Sequence, residues 1–296
     1  MRIGLIDVDG HNFPNLALMK ISAWHKAQGD TVEWCLPLDR YDVVYQTKVF
    51  DDTYSPDIDW TPNADKIIKG GTGYDKHKVL PDYIEHMYPD YELYPELTKD
   101  TAYGFLTRGC PCNCGPCIVS EKEGKRSVKV ADLSEFWRGQ RNIELLDPNI
   151  LACPEHMELL EQLAASGAYI NFNQGLDIRR THEAEIDAIN RIKLREIHFA
   201  WDYPEMNLVP QFERYAKLAK HKPHGSYGTV YVLTNYSSDI SDDLRRIYTL
   251  RDLGYDPYVM IYDKPSAPKE IRSLQRWCNN KFIFKKCPDF RDYGKR

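Results

Sequence analysis

The chain has 296 residues, 42% hydrophobic and 28% charged, with a formal net charge of −5. That is enough apolar material for one large core or two modest ones, and two domains are expected. No apolar run approaches the roughly 20 residues that a membrane helix needs, and the negative balance gives no global attraction for phosphate backbones.

Residues 2–8 read as a strand, 9–14 as a turn and 15–28 as an apolar-periodic helix that Gly29-Asp30 ends. Strands follow at 31–36, 41–45 and 66–68, the last running into Gly70-Gly71-Thr72-Gly73. Strands alternating with a helix and glycine turns predict a doubly wound, Rossmann-like parallel sheet over residues 1–80, with a ligand crevice at the strand carboxyl ends. In the first turn, Asp9 or Asn12 is placed to cap the helix and His11 to make a local hydrogen bond. Residues 81–100 are rich in Tyr and Pro and read as a packed linker.

From residue 101 the pattern becomes strand then helix. Strands are expected at 103–107, 143–146, 169–173, 196–200, 229–233 and 258–261, with helices such as 154–166 and 181–192 between them. Polar residues follow the strands: Asp147-Pro148-Asn149, Gln174-Gly175-Leu176-Asp177, Trp201-Asp202 and Thr234-Asn235. Six such units over residues 101–265 predict an α/β barrel whose loops at the strand carboxyl ends converge on one mouth. Each of these Asp, Asn and Thr residues also suits an ordinary cap or turn. His156, His182, His198, His221 and His224 lack a matched carboxylate or thiol at nucleophile-activating spacing and read as exposed or structural. The carboxy-terminal extension, 266–296, ends in a basic stretch with interleaved Phe and Tyr, which suits either aromatic packing or a grip on nucleic acid.

The densest chemistry lies at 107–117, Thr-Arg-Gly-Cys-Pro-Cys-Asn-Cys-Gly-Pro-Cys. Cys110, Cys114 and Cys117 are spaced C-x3-C-x2-C, and Cys112 sits in the longer gap. Thiolates in this density select an iron–sulfur cluster, zinc or cuprous copper. Structural zinc usually draws on two separated ligand pairs, and Cys35, Cys153, Cys278 and Cys287 are scattered. No charged-then-apolar leader opens the chain, so a soluble protein of the reducing cytoplasm is expected and disulfides are not. A zinc-stapled nucleic-acid-binding module without catalysis is the competing reading.

The run TRGCPCNCGPC, followed by Ile118-Val119 and Glu123-Gly124, resembles the cluster loop of radical S-adenosylmethionine (radical SAM) enzymes, especially members with an amino-terminal cobalamin-binding-type domain. The resemblance implies a partial (β/α)6 TIM-type barrel in which Cys110, Cys114 and Cys117 hold a [4Fe–4S] cluster. SAM would chelate the free iron and be cleaved reductively to methionine and a 5′-deoxyadenosyl radical, with the electron coming from a reductant protein or flavodoxin-type donor. It further implies that Asp147 and Asn149 meet the methionine end of SAM. Asp177 and Asp202 would serve ribose hydroxyls or a substrate cation, Thr234 and Asn235 the adenine or methionine end, and Gln174 is counted with them as cofactor-binding. Asp9-x-His11 is similar to part of a cobalt-ligating motif, although Pro14 replaces its glycine, and the Gly70–Gly73 loop is similar to the glycine turn of such domains; cobalamin is the weaker expectation. Pro116 departs from the family, which carries an aromatic residue just before the third cysteine. A nucleic acid base, a peptide and a small metabolite all stay open as substrate.

Overall fold

The computed structural model describes residues 1–10 and 12–294; His11 lies outside the described residues. The chain divides into two compact units, Met1–Gly104 with Ala131–Asn142, and Phe105–Val130 with Ile143–Arg296.

In the first unit, β1 (Arg2–Asp7), β2 (Thr31–Trp34), β3 (Arg40–Thr47) and β4 (Asn63–Gly70) form a parallel sheet in the order β2-β1-β3-β4, with α1 (Leu16–Ala27) between β1 and β2. Strand alternation puts Ile3 and Leu5 against Leu18 and Ile21 of α1, and Ile6 on the other face with Tyr41 and Val44. Only residues 35–39 join β2 to β3, too few for a crossover helix. Helix α1 is capped by neither Asp9 nor Asn12: Asn15 accepts from Leu18 N at 3.2 Å. Asp9 instead accepts from the backbone N–H groups of Val49 and Phe50, both at 2.8 Å, because two amides leaving β3 offer a carboxylate more than one helix end does.

Residues 81–100, expected as a linker, carry structure of their own within this unit: α2 (Asp82–Glu85), a 3-10 turn at Tyr91–Leu93 and α3 (Pro95–Thr98), followed by β5 (Thr101–Gly104). Tyr91 Oη donates to Phe136 O at 2.6 Å and Tyr94 Oη to Asp7 Oδ2 at 2.5 Å. The half-buried phenols thus satisfy their hydroxyls locally.

The second unit opens with a two-stranded antiparallel ribbon, β6 (Thr107–Arg108) with β7 (Val128–Lys129), enclosing α4 (Val119–Lys122). Alternating elements follow: β8 (Asn142–Leu145), α5 (His156–Ser166), β9 (Tyr169–Phe172), α6 (Glu183–Arg191), β10 (Lys193–Ala200), α7 (Val209–Leu218), β11 (Thr229–Thr234), α8 (Ile240–Asp252) and β12 (Asp256–Ile261). The six-stranded sheet has the order β12-β11-β10-β9-β8-β5, and β9 through β12 pair in parallel. One face is apolar: Ile170, Phe172, Ile197, Phe199, Val230, Val232 and Val259 are buried, and Phe199 meets Tyr215 of α7 edge-on at 4.8 Å. The last segment adds α9 (Lys269–Asn279) and α10 (Lys281–Lys286), where Trp277 gathers Phe284 and Phe290. Among the described residues no helix is long and apolar enough to cross a membrane.

The strand ends are tied by a buried cation. Arg246 of α8 is fully buried and donates to Trp201 O and Asp202 O after β10, to Leu233 O on β11, and to the Asp243 carboxylate. Replacing it removes this donor from three carbonyls and leaves the buried Asp243 carboxylate with Ser238 Oγ but without its cation. Arg246→Leu is therefore expected to lower stability by about 3–5 kcal/mol in chemical denaturation; a loss under 1 kcal/mol would mean that the pair does not hold these ends.

Candidate functional site

The cysteine loop leaves β6 and returns at β7, so the ribbon fixes both ends of a 19-residue excursion from 109 to 127. Within it Cys110 N donates to Gly124 O at 3.1 Å and Cys117 N to Cys114 O at 3.0 Å. Glu123 accepts from Gly109 N and pairs with Arg108 at 3.2 Å, closing the loop across its base. Asn113 turns the chain at φ +47° and accepts from Ser120 Oγ at 3.0 Å.

Asp147, just after β8, grips the root of this loop. Its carboxylate accepts from Thr107 N at 2.5 Å, Thr107 Oγ1 at 2.7 Å and Leu106 N at 3.1 Å. The side chain expected to meet an ammonium group thus already carries three donors, at 4% exposure. Asn149 stands beside the thiols: its Nδ2 lies 3.5 Å from both Cys110 Sγ and Cys112 Sγ, and its Oδ1 is buried without a protein partner.

Cys110, Cys112 and Cys114 are half-buried and Cys117 is exposed. A hydrogen bond from Cys112 holds the Cys110 thiol below its ordinary value, with Asn149 adding to it; the proton is retained on Cys112. Burial pushes Cys114 up. Cys112 also faces a charged pair that the sequence did not bring to it: Arg179 NH2 lies 3.0 Å from Cys112 Sγ while its Nε and NH2 grip Asp177 at 2.7 and 2.8 Å. Burial opposes ionisation of Asp177, but Arg179 holds it below the ordinary carboxylate range.

The other expected residues scatter. Gln174 is exposed in the turn after β9. Asp202 is raised by burial, and its backbone carbonyl serves Arg246. Thr234 is buried with its hydroxyl on Met260 O, and Asn235, at φ +60°, donates to Tyr262 O at 2.8 Å, so both side chains bind the end of β12. Two tyrosines were not anticipated: Gly115 N donates to Tyr203 Oη at 2.9 Å, and a Cβ at Gly115 would fall 1.9 Å from Tyr236 Oη. Aromatic rings therefore flank the loop next to Pro116 although position 116 itself has none. Only their place in turns after β10 and β11 hinted at it.

In the first unit, the order reversal between β1 and β3 marks a crevice at their carboxyl ends. It is lined by groups already engaged. Asp7 holds Tyr94, Lys48 is buried and paired with Asp52, and Cβ atoms at Gly71 and Gly73 would meet Lys48 O at 2.4 Å and Phe50 O at 2.1 Å. Close approach of this chain's own backbone explains the glycines.

The chain shares its fold with a solved radical S-adenosylmethionine methyltransferase, TsrM from Kitasatospora setae, whose structure holds cobalamin and a [4Fe-4S] cluster; the TM-score is 0.64 at 11% identity, over 88% of this chain and 74% of that one. No protein-family model matches the sequence, and no curated protein matches it.

Burial pushes the Asp147 carboxyl from its ordinary 3.8 up to about 6, against the hydrogen bonds that pull it down. The native state then binds the extra proton between those two values, and the stability contributed by this site falls as the pH rises through that window. Compared with Asp147→Asn, the native sequence should lose about 2 kcal/mol between pH 4 and pH 6.5 in denaturant titrations. Parallel pH profiles for the two proteins would remove Asp147 as the titrating group.

Proposed function

We propose that this chain is a radical SAM enzyme, in which Cys110, Cys114 and Cys117 hold a [4Fe–4S] cluster at the head of a partial (β/α)6 barrel. The observation that carries the reading is the closed cysteine loop, held by the β6–β7 ribbon, in a chain that shares the fold of a radical SAM methyltransferase. The donor set fits: three thiols on one closed loop match soft cluster ligation. When bound, the cluster would supply one electron, from a flavodoxin-type reductant, to split the sulfonium of SAM into methionine and a 5′-deoxyadenosyl radical.

The remaining roles belong to this chain's own side chains. Asp147 positions the loop by its root. Asn149, with a buried free acceptor beside the thiols, is the residue best placed to take an N–H donor such as the SAM ammonium. Asp177 and Arg179 fix Cys112 as a neighbouring thiol outside the ligand set, and Tyr203 and Tyr236 provide the aromatic surface that Pro116 lacks.

Zinc is the weaker reading. Four sulfurs around one zinc, each bonded at about 2.3 Å, must lie within about 4 Å of one another. Among the described residues no three His, Cys, Asp or Glu side chains are grouped to hold a single ion. Cobalamin is the weaker expectation, since among the described residues of the first unit's crevice Asp7 and Lys48 are engaged by this chain's own groups.

Anaerobic reconstitution with iron and sulfide should give a brown protein with about four irons per chain, and added SAM and reductant should yield 5′-deoxyadenosine. Cys110→Ala, Cys114→Ala and Cys117→Ala should each abolish both readouts, whereas Cys112→Ser should retain the cluster. A colourless protein with one tightly bound zinc would overturn the reading.

A further inference from the structure

The second face of the six-stranded sheet is unlike the first. In a helix-covered parallel sheet the strands read as near-continuous apolar runs. Here the register places Asn171 opposite Glu196, with His198 two residues further on, and Tyr231 and Leu233 of β11 opposite Tyr258 and Met260 of β12. Glu144 of β8 joins them, because Asn171 Nδ2 donates to Glu144 Oε2 at 2.5 Å.

Two atoms on this face are buried without a protein partner: Asn171 Oδ1 and His198 Nδ1. Their residues are only 6% and 7% exposed. Leaving buried polar atoms unpaired is costly, so two on one face point to a ligand that pairs them. The carboxylate of Glu144 orients the amide of Asn171 with its Nδ2 inward, which leaves Oδ1 as a pure acceptor. Glu196 Oε1 lies 3.5 Å from His198 Nε2 and favours the proton there, and burial keeps the imidazole neutral, so Nδ1 is also an acceptor. The ligand must therefore bring two donors. Beside them runs an aromatic wall: His198 to Tyr231 at 5.4 Å and Tyr231 to Tyr258 at 5.7 Å, with Met260 exposed next along β12. Glu144 and Glu196 make the face hostile to anions, and of the groups named here only the half-exposed Arg195 offsets them, on Glu144 at 2.8 Å.

We propose that this face binds a guanine-type base as the free base or nucleoside, its adjacent ring N–H and amino donors on Asn171 Oδ1 and His198 Nδ1 and its ring against Tyr231 and Tyr258. That the base is the substrate of the radical chemistry rests on the preceding reading; that it binds does not.

The experiment is calorimetric titration of the anaerobically purified full chain with guanosine, inosine and SAM, with iron content measured on the same sample. Guanosine should bind saturably, inosine, which lacks the amino group, about tenfold more weakly, and SAM should not displace guanosine. His198→Phe and Asn171→Leu, each checked for native circular dichroism, should weaken guanosine about tenfold; His198→Phe carries the test if loss of the Glu144 partner unfolds the other. Absence of saturable guanosine binding, equal affinity for inosine, displacement by SAM, or an unchanged affinity in folded His198→Phe would each overturn the proposal. Because binding is read without turnover, a protein that fails to bind guanosine yet assembles its cluster refutes this inference alone, and one that binds guanosine without a cluster refutes only the preceding reading.

Discussion

The Asp147 carboxylate sits where the chain must solve its hardest local problem, holding a loop of small, polar and thiol residues in one place without a core of its own. The loop contributes almost no buried apolar surface, since Cys117 and Ile118 are exposed, so its order has to be imported. It comes from the root, where one carboxylate takes two backbone amides and a hydroxyl, and from Glu123, which ties Gly109 and Arg108 together. Charged acceptors on backbone donors are among the stronger hydrogen bonds available to a protein. A buried carboxylate is also costly to ionise, which explains why three donors converge on one acid and not one donor on each of three.

The strands of the second unit were legible because each is short, β-branched or aromatic, and followed by a polar turn. Residues 229–233 and 169–173 were expected as strands and are found as Thr229–Thr234 and Tyr169–Phe172. The ribbon of Thr107–Arg108 with Val128–Lys129 was not legible, because two residues have no periodicity and their pairing depends on a partner about twenty positions away. For the same reason Asp147 was recognisable as important while its contacts were not: its donors are backbone amides forty residues upstream, and an amide carries no sequence signal. Thr234 and Asn235 illustrate the opposite case. Their residue types suit ligand contact, but a left-handed turn at the end of β11 needs an Asn, and the side chain then caps β12.

Position 112 places a fourth thiol among the prospective ligands. A thiol between two prospective ligands is a competitor for the same metal, and only its proton distinguishes it. The Cys112 thiol is placed to donate to Asp177 Oδ2 at 3.6 Å, and Arg179 NH2 approaches the same sulfur at 3.0 Å, so a matched charge pair surrounds it. An unpaired Arg at this distance would favour a second thiolate; an unpaired Asp would oppose every thiolate in the loop. Paired, the two act on the thiol in opposite senses, Asp177 raising Cys112 and Arg179 lowering it.

The two faces of the large sheet divide the work in the same economical way. The helix-facing side is built from Ile, Val and Phe and accounts for the cohesion of the unit, so the other side is free to carry Glu144, Asn171, Glu196 and His198 without endangering the fold. Strand alternation makes this separation automatic: moving a residue by one position exchanges the faces. The bulge between Leu194 and Glu196 matters here, since it shifts the register of β10 against β9 by one residue. Without it, continuing the pairing of Leu194 with Ile170 would set Arg195, not Glu196, opposite Asn171 and Ile197 in the place of His198, so that Ile197 and Phe199 would turn to the polar face. One inserted residue therefore keeps the apolar side of β10 in the core and turns its acid and its imidazole toward the face that the unpaired acceptors occupy.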